Sequence, residues 1–425
     1  MQAPGSAGVP PALPGACNCL IYILNEETMK KLSIFVFVLL LTAPAFAQQA
    51  LWNAEDIISP EIHGDNRVIF RLNAPQALKV EITGDFLPPQ KIETPMGEMD
   101  AAGRAALVKN DKGVWEYTTA APLPPELYSY SLVIDGVNVT DPSNVYAIRD
   151  VASVTSVFII GGERADLYKV NDVPHGTVAR VWYDSPSLKN SRRLTIYTPP
   201  GYEKSKSRYP VFYLLHGAGG DEEAWISLGR AAQILDNLIA QNKAKPMIVV
   251  MTNGNAGQQA APGESTRGMY KPSFMQETRM DGDFEAAFPD VVKFIDDGYR
   301  TIKNRSGRAI AGLSMGGFHS FHISKEYPDM FDYVGLFSAA IMPREGIQSK
   351  IYDNTDEKLK ALFAKNPKLY WIAIGTTDFL FQNNVDLRKQ LDEKHYPYKY
   401  YETGEGHIWK NWRIYLSEFA QMLFK

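Results

Sequence analysis

The pentapeptide Gly312-Leu313-Ser314-Met315-Gly316, together with its two flanks, constrains this chain more than any other stretch. Arg308-Ala309-Ile310-Ala311 before it is a short apolar run of the kind that forms a buried strand. Gly317 to Glu326 after it has helical character and is stopped by Pro328. A chain that turns from strand to helix within so few residues must adopt unusual backbone angles and press backbone against backbone. Glycines flank Ser314 because a Cβ would not fit there. The strained turn lifts the serine hydroxyl above the sheet edge, and the helix N-terminus beneath it favours developing negative charge. Ser314 is the candidate nucleophile.

Strand, Gly-x-Ser-x-Gly and helix in this order resemble the nucleophile elbow of α/β hydrolases. The surrounding chain alternates as such a fold requires. Val178 to Tyr183 and Arg193 to Thr198 have the pattern of an antiparallel pair. Val211 to Leu215, Met247 to Met251, Val334 to Phe337 and Tyr370 to Ile374 are apolar runs, expected of strands covered by helices on both faces. Helical stretches such as Ala231 to Gln241 and Phe284 to Tyr299 alternate with them, which predicts a doubly wound, mostly parallel sheet.

A serine hydroxyl is a poor nucleophile at neutral pH, so Ser314 needs a base, and the base needs an orienting carboxylate. In the α/β-hydrolase order the acid and then the histidine follow the serine, on loops after later strands. Asp378 directly follows the strand ending at Ile374 and is the expected acid. Asp386 falls in a helical stretch, and Asp332 precedes a strand instead of following one. His407, in Gly404-Glu405-Gly406-His407 after the strand Tyr398 to Tyr401, is the expected base. His319 and His322 lie on the elbow helix and are expected to pack or to face solvent. A tetrahedral oxyanion needs two backbone donors. Met315 supplies one amide, and Ala218 in His216-Gly217-Ala218-Gly219-Gly220 is the candidate for the other. His216 is expected to hold that loop through a structural hydrogen bond.

Leu214 to Glu222, Ala311 to Gly317, Gly375 to Leu380 and Gly406 to Arg413 together resemble the feruloyl and acetylxylan esterases of carbohydrate esterase family 1. The resemblance covers residues 170 to 425. It implies Ser314 as nucleophile, Asp378 as orienter, His407 as base, and Ala218 and Met315 as oxyanion amides, with no metal and no cofactor. It implies a substrate as well, feruloyl esters on xylan side chains. Acetylated xylan or an enterobactin-type siderophore ester is the alternative within the class. A carbohydrate-binding protein with an inactive hydrolase domain is the alternative outside it. Thr377, just before the acid, departs from the family pattern. Asn253 to Gly282 is long enough to roof a pocket. Trp225, Arg267, Tyr270, Phe379 and Trp409 are candidates to line it, whereas Trp412 is expected to pack the last helix onto the sheet.

Upstream, residues 1–47 form a leader. Met29-Lys30-Lys31, the apolar Leu32 to Leu41 and Ala45-Phe46-Ala47 predict a signal peptide cleaved after Ala47, hence a secreted or periplasmic chain. The apolar stretch is too short for a transmembrane helix, and residues 1–28 are expected to be an extension from a misassigned start. Both cysteines, Cys17 and Cys19, fall in the leader, leaving none for a disulfide or a thiol nucleophile. Residues 48–162 alternate apolar with polar in Arg67 to Leu72, Lys79 to Ile82, Gly113 to Thr118 and Tyr128 to Ile134, with a hairpin turn at Asp135-Gly136. This predicts a small all-β immunoglobulin-like sandwich, and its order resembles early-set, glycogen-binding-like modules. Trp52, Trp115, Tyr128 and Tyr130 are either its core or a sugar-stacking platform. Residues 163–175 are expected as a linker and 176–425 as the catalytic domain. A net charge of −4 and the absence of any basic run argue against nucleic acid. Plant polysaccharide, or its feruloylated or acetylated oligosaccharides, is the expected partner.

Overall fold

Apolar runs that can be buried on both faces assemble into an eight-stranded sheet. Its order is Thr177–Ser185, Asn190–Thr198, Ile248–Thr252, Val211–Leu215, Arg308–Leu313, Tyr333–Phe337, Leu369–Gly375 and Lys399–Thr403. Asn190–Thr198 runs antiparallel to both neighbours, and every later pairing is parallel. The computed structural model describes residues 57–94, 97–266, 268–272, 280–341 and 349–425. The leader, Trp52 and Arg267 lie outside the described residues.

Two apolar layers sandwich the sheet. On one face Ile234, Leu235 and Leu238 of helix Ala231–Ala240 meet Trp412, Leu416 and Phe419 of helix Trp409–Met422. On the other, Phe288, Val291 and Ile295 of helix Asp283–Gly298 join Phe321 of helix Met315–Glu326, Leu362 and Leu387. Each such side chain contributes about 1.5–3 kcal/mol from burial. The expected strands and helices recur with ends moved by only a residue or two, and at the elbow the gap between strand and helix closes. There the strand runs on through Leu313 and the helix starts at Met315, so Ser314 alone makes the turn.

The N-terminal module is all β among the described residues up to Ile160. Val68–Asn73 is buried at every second position, placing Val68, Phe70 and Leu72 on one inner face. Tyr128, Tyr130 and Leu132 of strand Glu126–Ile134 and Phe158 of strand Ser153–Ile160 complete the core. Asp135 and Gly136 both have positive φ, 48° and 90°, as a two-residue hairpin turn requires. The sugar-platform reading of the aromatics is corrected here. Trp115, Tyr128 and Tyr130 are buried, and Phe70 meets Tyr130 edge-on at 4.8 Å, so their burial leaves no face for a sugar.

The stretch read as a linker is packed over its first part. Glu163–Leu167 is a 3-10 helix, and Ala165 and Tyr168 are fully buried in the same cluster as Leu127, Val157 and the C-terminal helix. Residues Ile57–Lys425 gather into one compact unit.

Candidate active site

Ser314 sits at the junction of strand Arg308–Leu313 and helix Met315–Glu326 with φ 53° and ψ −114°. That backbone conformation costs a non-glycine residue about 1–3 kcal/mol and persists only where its surroundings over-determine it. The Ser314 amide donates to Phe337 O at 2.9 Å, and its carbonyl accepts from Phe318 at 3.0 Å and Ala340 at 3.1 Å. The glycines are required by contact. A Cβ on Gly316 would lie 2.4 Å from Leu215 O, and one on Gly312 would lie 2.5 Å from Gly316. A Cβ on Gly217 would come within 3.2 Å of the Ser314 Cβ, so the glycine-rich loop lies directly against Ser314. Ser314 itself is 6% exposed.

Asp378 and His407 are brought together by two loops that extend the pairing of Leu369–Gly375 with Lys399–Thr403. Thr376 N–H donates to Thr403 O at 2.9 Å and Thr377 N–H to Glu405 O at 3.1 Å. Gly375 lets them approach, since a Cβ there would meet Glu405 O at 2.2 Å. His407 Nδ1 lies 2.9 and 3.1 Å from the two oxygens of buried Asp378. A carboxylate can only accept, so Nδ1 carries a proton, and in the neutral imidazole Nε2 keeps its lone pair. Asp378 Oδ1 also accepts from Leu380 N–H at 2.9 Å. The rival acids are elsewhere: Asp332 pairs with Arg305 at 3.1 Å, and Asp386 accepts from Gln382 on helix Phe381–Glu393.

Asn411, which sequence reasoning did not single out, holds the histidine loop. Its Nδ2 donates to Gly404 O at 3.0 Å and Gly406 O at 2.9 Å. Its place four residues after His407, in the first turn of the last helix, is the one signal that could have found it. Trp412 packs as expected, edge-on to His407 at 4.9 Å and donating to Ser338 Oγ at 3.2 Å.

The loop after strand Val211–Leu215 is fixed by His216. Its Nδ1 lies 2.7 Å from Gly217 O, and its Nε2 accepts from Gly254 N–H at 2.8 Å. Both roles require the neutral Nδ1–H form, and burial lowers the imidazole pKa to about 4. The chain after Gly254 is clasped by two buried arginines that the sequence did not flag. Arg192 donates to Asn255 O at 3.0 Å and Gln258 O at 3.1 Å. Arg193 pairs with buried Glu222 at 2.7 Å and with Glu264 at 2.9 Å. Glu222 in turn accepts from Ala261 N–H at 2.8 Å.

Of the pocket candidates, Phe379 is 45% exposed with its ring 4.6 Å from His407. Tyr270 is half-buried on the long loop. Trp225 is corrected: it is fully buried, donates to Leu215 O at 2.9 Å and packs edge-on to Phe337, so it props the strand end from below. Trp409 packs edge-on to both Trp225 and Trp412 and belongs to the same support. His319 and His322 are buried on the elbow helix, His319 against Glu285 at 2.5 Å.

Fold and site together define an α/β hydrolase of the carboxylic-ester-hydrolase class. A family model described as "Putative esterase" matches residues 185–423, and the chain belongs to that family. The match bears out the resemblance to carbohydrate esterase family 1 drawn from the motifs. An endo-1,4-beta-xylanase/feruloyl esterase of Xylanibacter ruminicola is 30% identical over 379 residues, which cover 86% of this chain and 46% of that protein. Endo-1,4-beta-xylanase Y of Acetivibrio thermocellus is 29% identical over 170 residues, 37% of this chain and 13% of its own. The chain thus spans less than half the length of these curated relatives. Among solved structures, an enterobactin esterase from Shigella flexneri shares the fold, with a TM-score of 0.59 and 17% identity over 84% of this chain and 92% of that one.

Proposed function

We propose that the chain is an exported serine esterase that releases feruloyl groups from xylan side chains. The observation that carries the reading is the His407–Asp378 pair together with a strained, glycine-flanked serine, each following the carboxyl end of a parallel strand of one sheet. In this mechanism His407 Nε2 takes the proton as Ser314 Oγ attacks the ester carbonyl. Asp378 keeps the imidazole in the right tautomer and stabilises the imidazolium. The amides of Ala218 and Met315 donate to the oxyanion. Collapse expels the sugar hydroxyl with the His407 proton, leaving feruloyl–Ser314. Water, deprotonated by the same nitrogen, then releases ferulate and regenerates the serine.

Two observations support an aromatic acyl group: the exposed Phe379 ring beside His407 and the relative that joins a xylanase to a feruloyl esterase. The leader read from the sequence supports export, and no helix among the described residues is long and apolar enough to cross a membrane. Parallel kcat/KM measurements on methyl ferulate, acetylated xylan and a catecholate trilactone test the substrate. Burial of one ring favours ferulate over acetyl by about ten- to a hundredfold. Equal values would move the substrate to acetylxylan. Ser314→Ala and Asp378→Asn should each lower kcat by about 10⁴-fold or more without adding, because the residues act as a unit. Near-native kcat in Asp378→Asn would remove that residue from the site.

A further inference from the structure

The turn that carries Ala218 is held at both ends, and one of the holds comes from the N-terminal module. Its near end is fixed by His216, through Gly217 O and Gly254 N–H. Gly220 N–H closes the turn onto Gly217 O at 3.1 Å. The adjoining residue, Asp221, is 2% exposed and caps the turn beyond it, its Oδ1 accepting from Glu223 N–H at 3.0 Å. A carboxylate at that depth requires a partner. Arg149, on strand Ala147–Asp150 of the module, supplies it by donating from Nη2 to Asp221 Oδ2, while its Nη1 donates to Val151 O at 3.0 Å. No other cation pairs with Asp221 among the described residues.

We propose that Arg149 is a positioning residue for ester hydrolysis: by neutralising Asp221 it sets where the Ala218 N–H points. The proposal rests on the reading of Ala218 as an oxyanion donor. Without Arg149 the buried Asp221 charge is left uncompensated, and the turn relaxes toward water to hydrate it. A donor that stabilises a transition state must sit within hydrogen-bond distance of where the oxyanion forms, so a small shift is expressed in kcat. The ground-state ester does not depend on that donor in the same degree, so KM is largely spared. The module thereby reaches into catalysis without touching the reacting atoms.

The test uses the full chain, with p-nitrophenyl acetate as substrate and an aryl trifluoromethyl ketone as a tetrahedral mimic. Arg149→Ala should lower kcat about ten- to a hundredfold. KM should stay within about threefold, and the ketone should bind weaker by the same factor as kcat falls. Arg149→Lys, which restores the charge, should recover most of the loss. If Arg149→Ala does not fold, the Asp221→Asn background decides. With the charge gone, adding Arg149→Ala should cost no further kcat, and a further loss overturns the proposal. Wild-type kcat and ketone affinity in folded Arg149→Ala also overturn it. Ser314→Ala is the parallel control: activity there would defeat the reading of the site itself, whatever Arg149 does.

Discussion

Arg413, on the C-terminal helix, donates to Glu126 of the N-terminal module at 3.0 Å from Nη2 and 3.3 Å from Nε, across 287 residues of sequence. Both side chains are buried, and the same guanidinium donates to Leu127 O at 3.0 Å and Leu228 O at 3.1 Å. A buried pair of this kind adds little net stability over an apolar replacement, but breaking it strands a charge. Arg413→Ala should therefore cost about 3–5 kcal/mol in urea unfolding, and Arg413→Met with Glu126→Leu should recover most of it. A loss below about 1 kcal/mol in Arg413→Ala would mean that water already reaches Glu126.

A chain cut to begin at Val170 should not behave as an independent hydrolase. The cut removes Leu127, Val157, Ala165 and Tyr168 from the cluster they share with the C-terminal helix. It also leaves Arg413 without Glu126. Calorimetry should show a midpoint about 10 °C or more below the full chain. An unchanged midpoint would show that the module is an appendage.

Gly316→Ala should damage both stability and turnover. Its Cβ would meet two backbone oxygens, Leu215 O at 2.4 Å and His216 O at 2.6 Å, which cannot rotate away. The expected loss is about 1–3 kcal/mol, with kcat falling as the elbow is pushed from the strand. Gly64→Ala, whose Cβ would meet nothing within 4 Å, should stay within about 0.5 kcal/mol. Chemical denaturation of the two variants side by side checks this.

His216 should make the fold acid-sensitive. Burial depresses its folded pKa to about 4, against about 6.5 unfolded. Between those values the unfolded state binds the proton and the native state does not, so stability is full above pH 6.5 and falls as the pH drops toward 4. The contribution at stake is about 3 kcal/mol. His216→Asn should be less stable than the parent at pH 7, and the gap should narrow at pH 4.5. A constant gap across that range would refute the assignment.

Local signals carried much of this fold. Val211 to Leu215 is apolar at every position and appears as a strand with those bounds, and Asp378 and His407 could be placed by the strand each follows. Side-chain direction was harder to read. Trp225 stands beside the glycine-rich loop in sequence, and nothing in its neighbours tells that its ring turns under the sheet edge. The elbow helix carries His319, Ser320, His322, Ser324 and Lys325, a composition suited to a surface, yet Met315 through Lys325 is buried throughout. Its polar groups find remote partners, Glu285 for His319 and Ile351 O for Lys325 Nζ. Arg149, Arg192, Arg193 and Arg413 escaped notice for the same reason. Each acts through partners distant in sequence, from 29 residues for Arg193 and Glu222 to 287 for Arg413 and Glu126, and charged residues are seldom buried unless such a partner exists.

The hydrogen bond from Gly254 to His216 joins the long loop to the turn that carries Ala218, and the Arg192 and Arg193 clasp ends near Glu264. The loop is thus divided into a keystone and a remainder. A single change at Asn253 or Gly254 would act directly on the turn that carries Ala218, through His216 and Glu222. Diversification, natural or directed, would therefore meet its first constraint at this keystone.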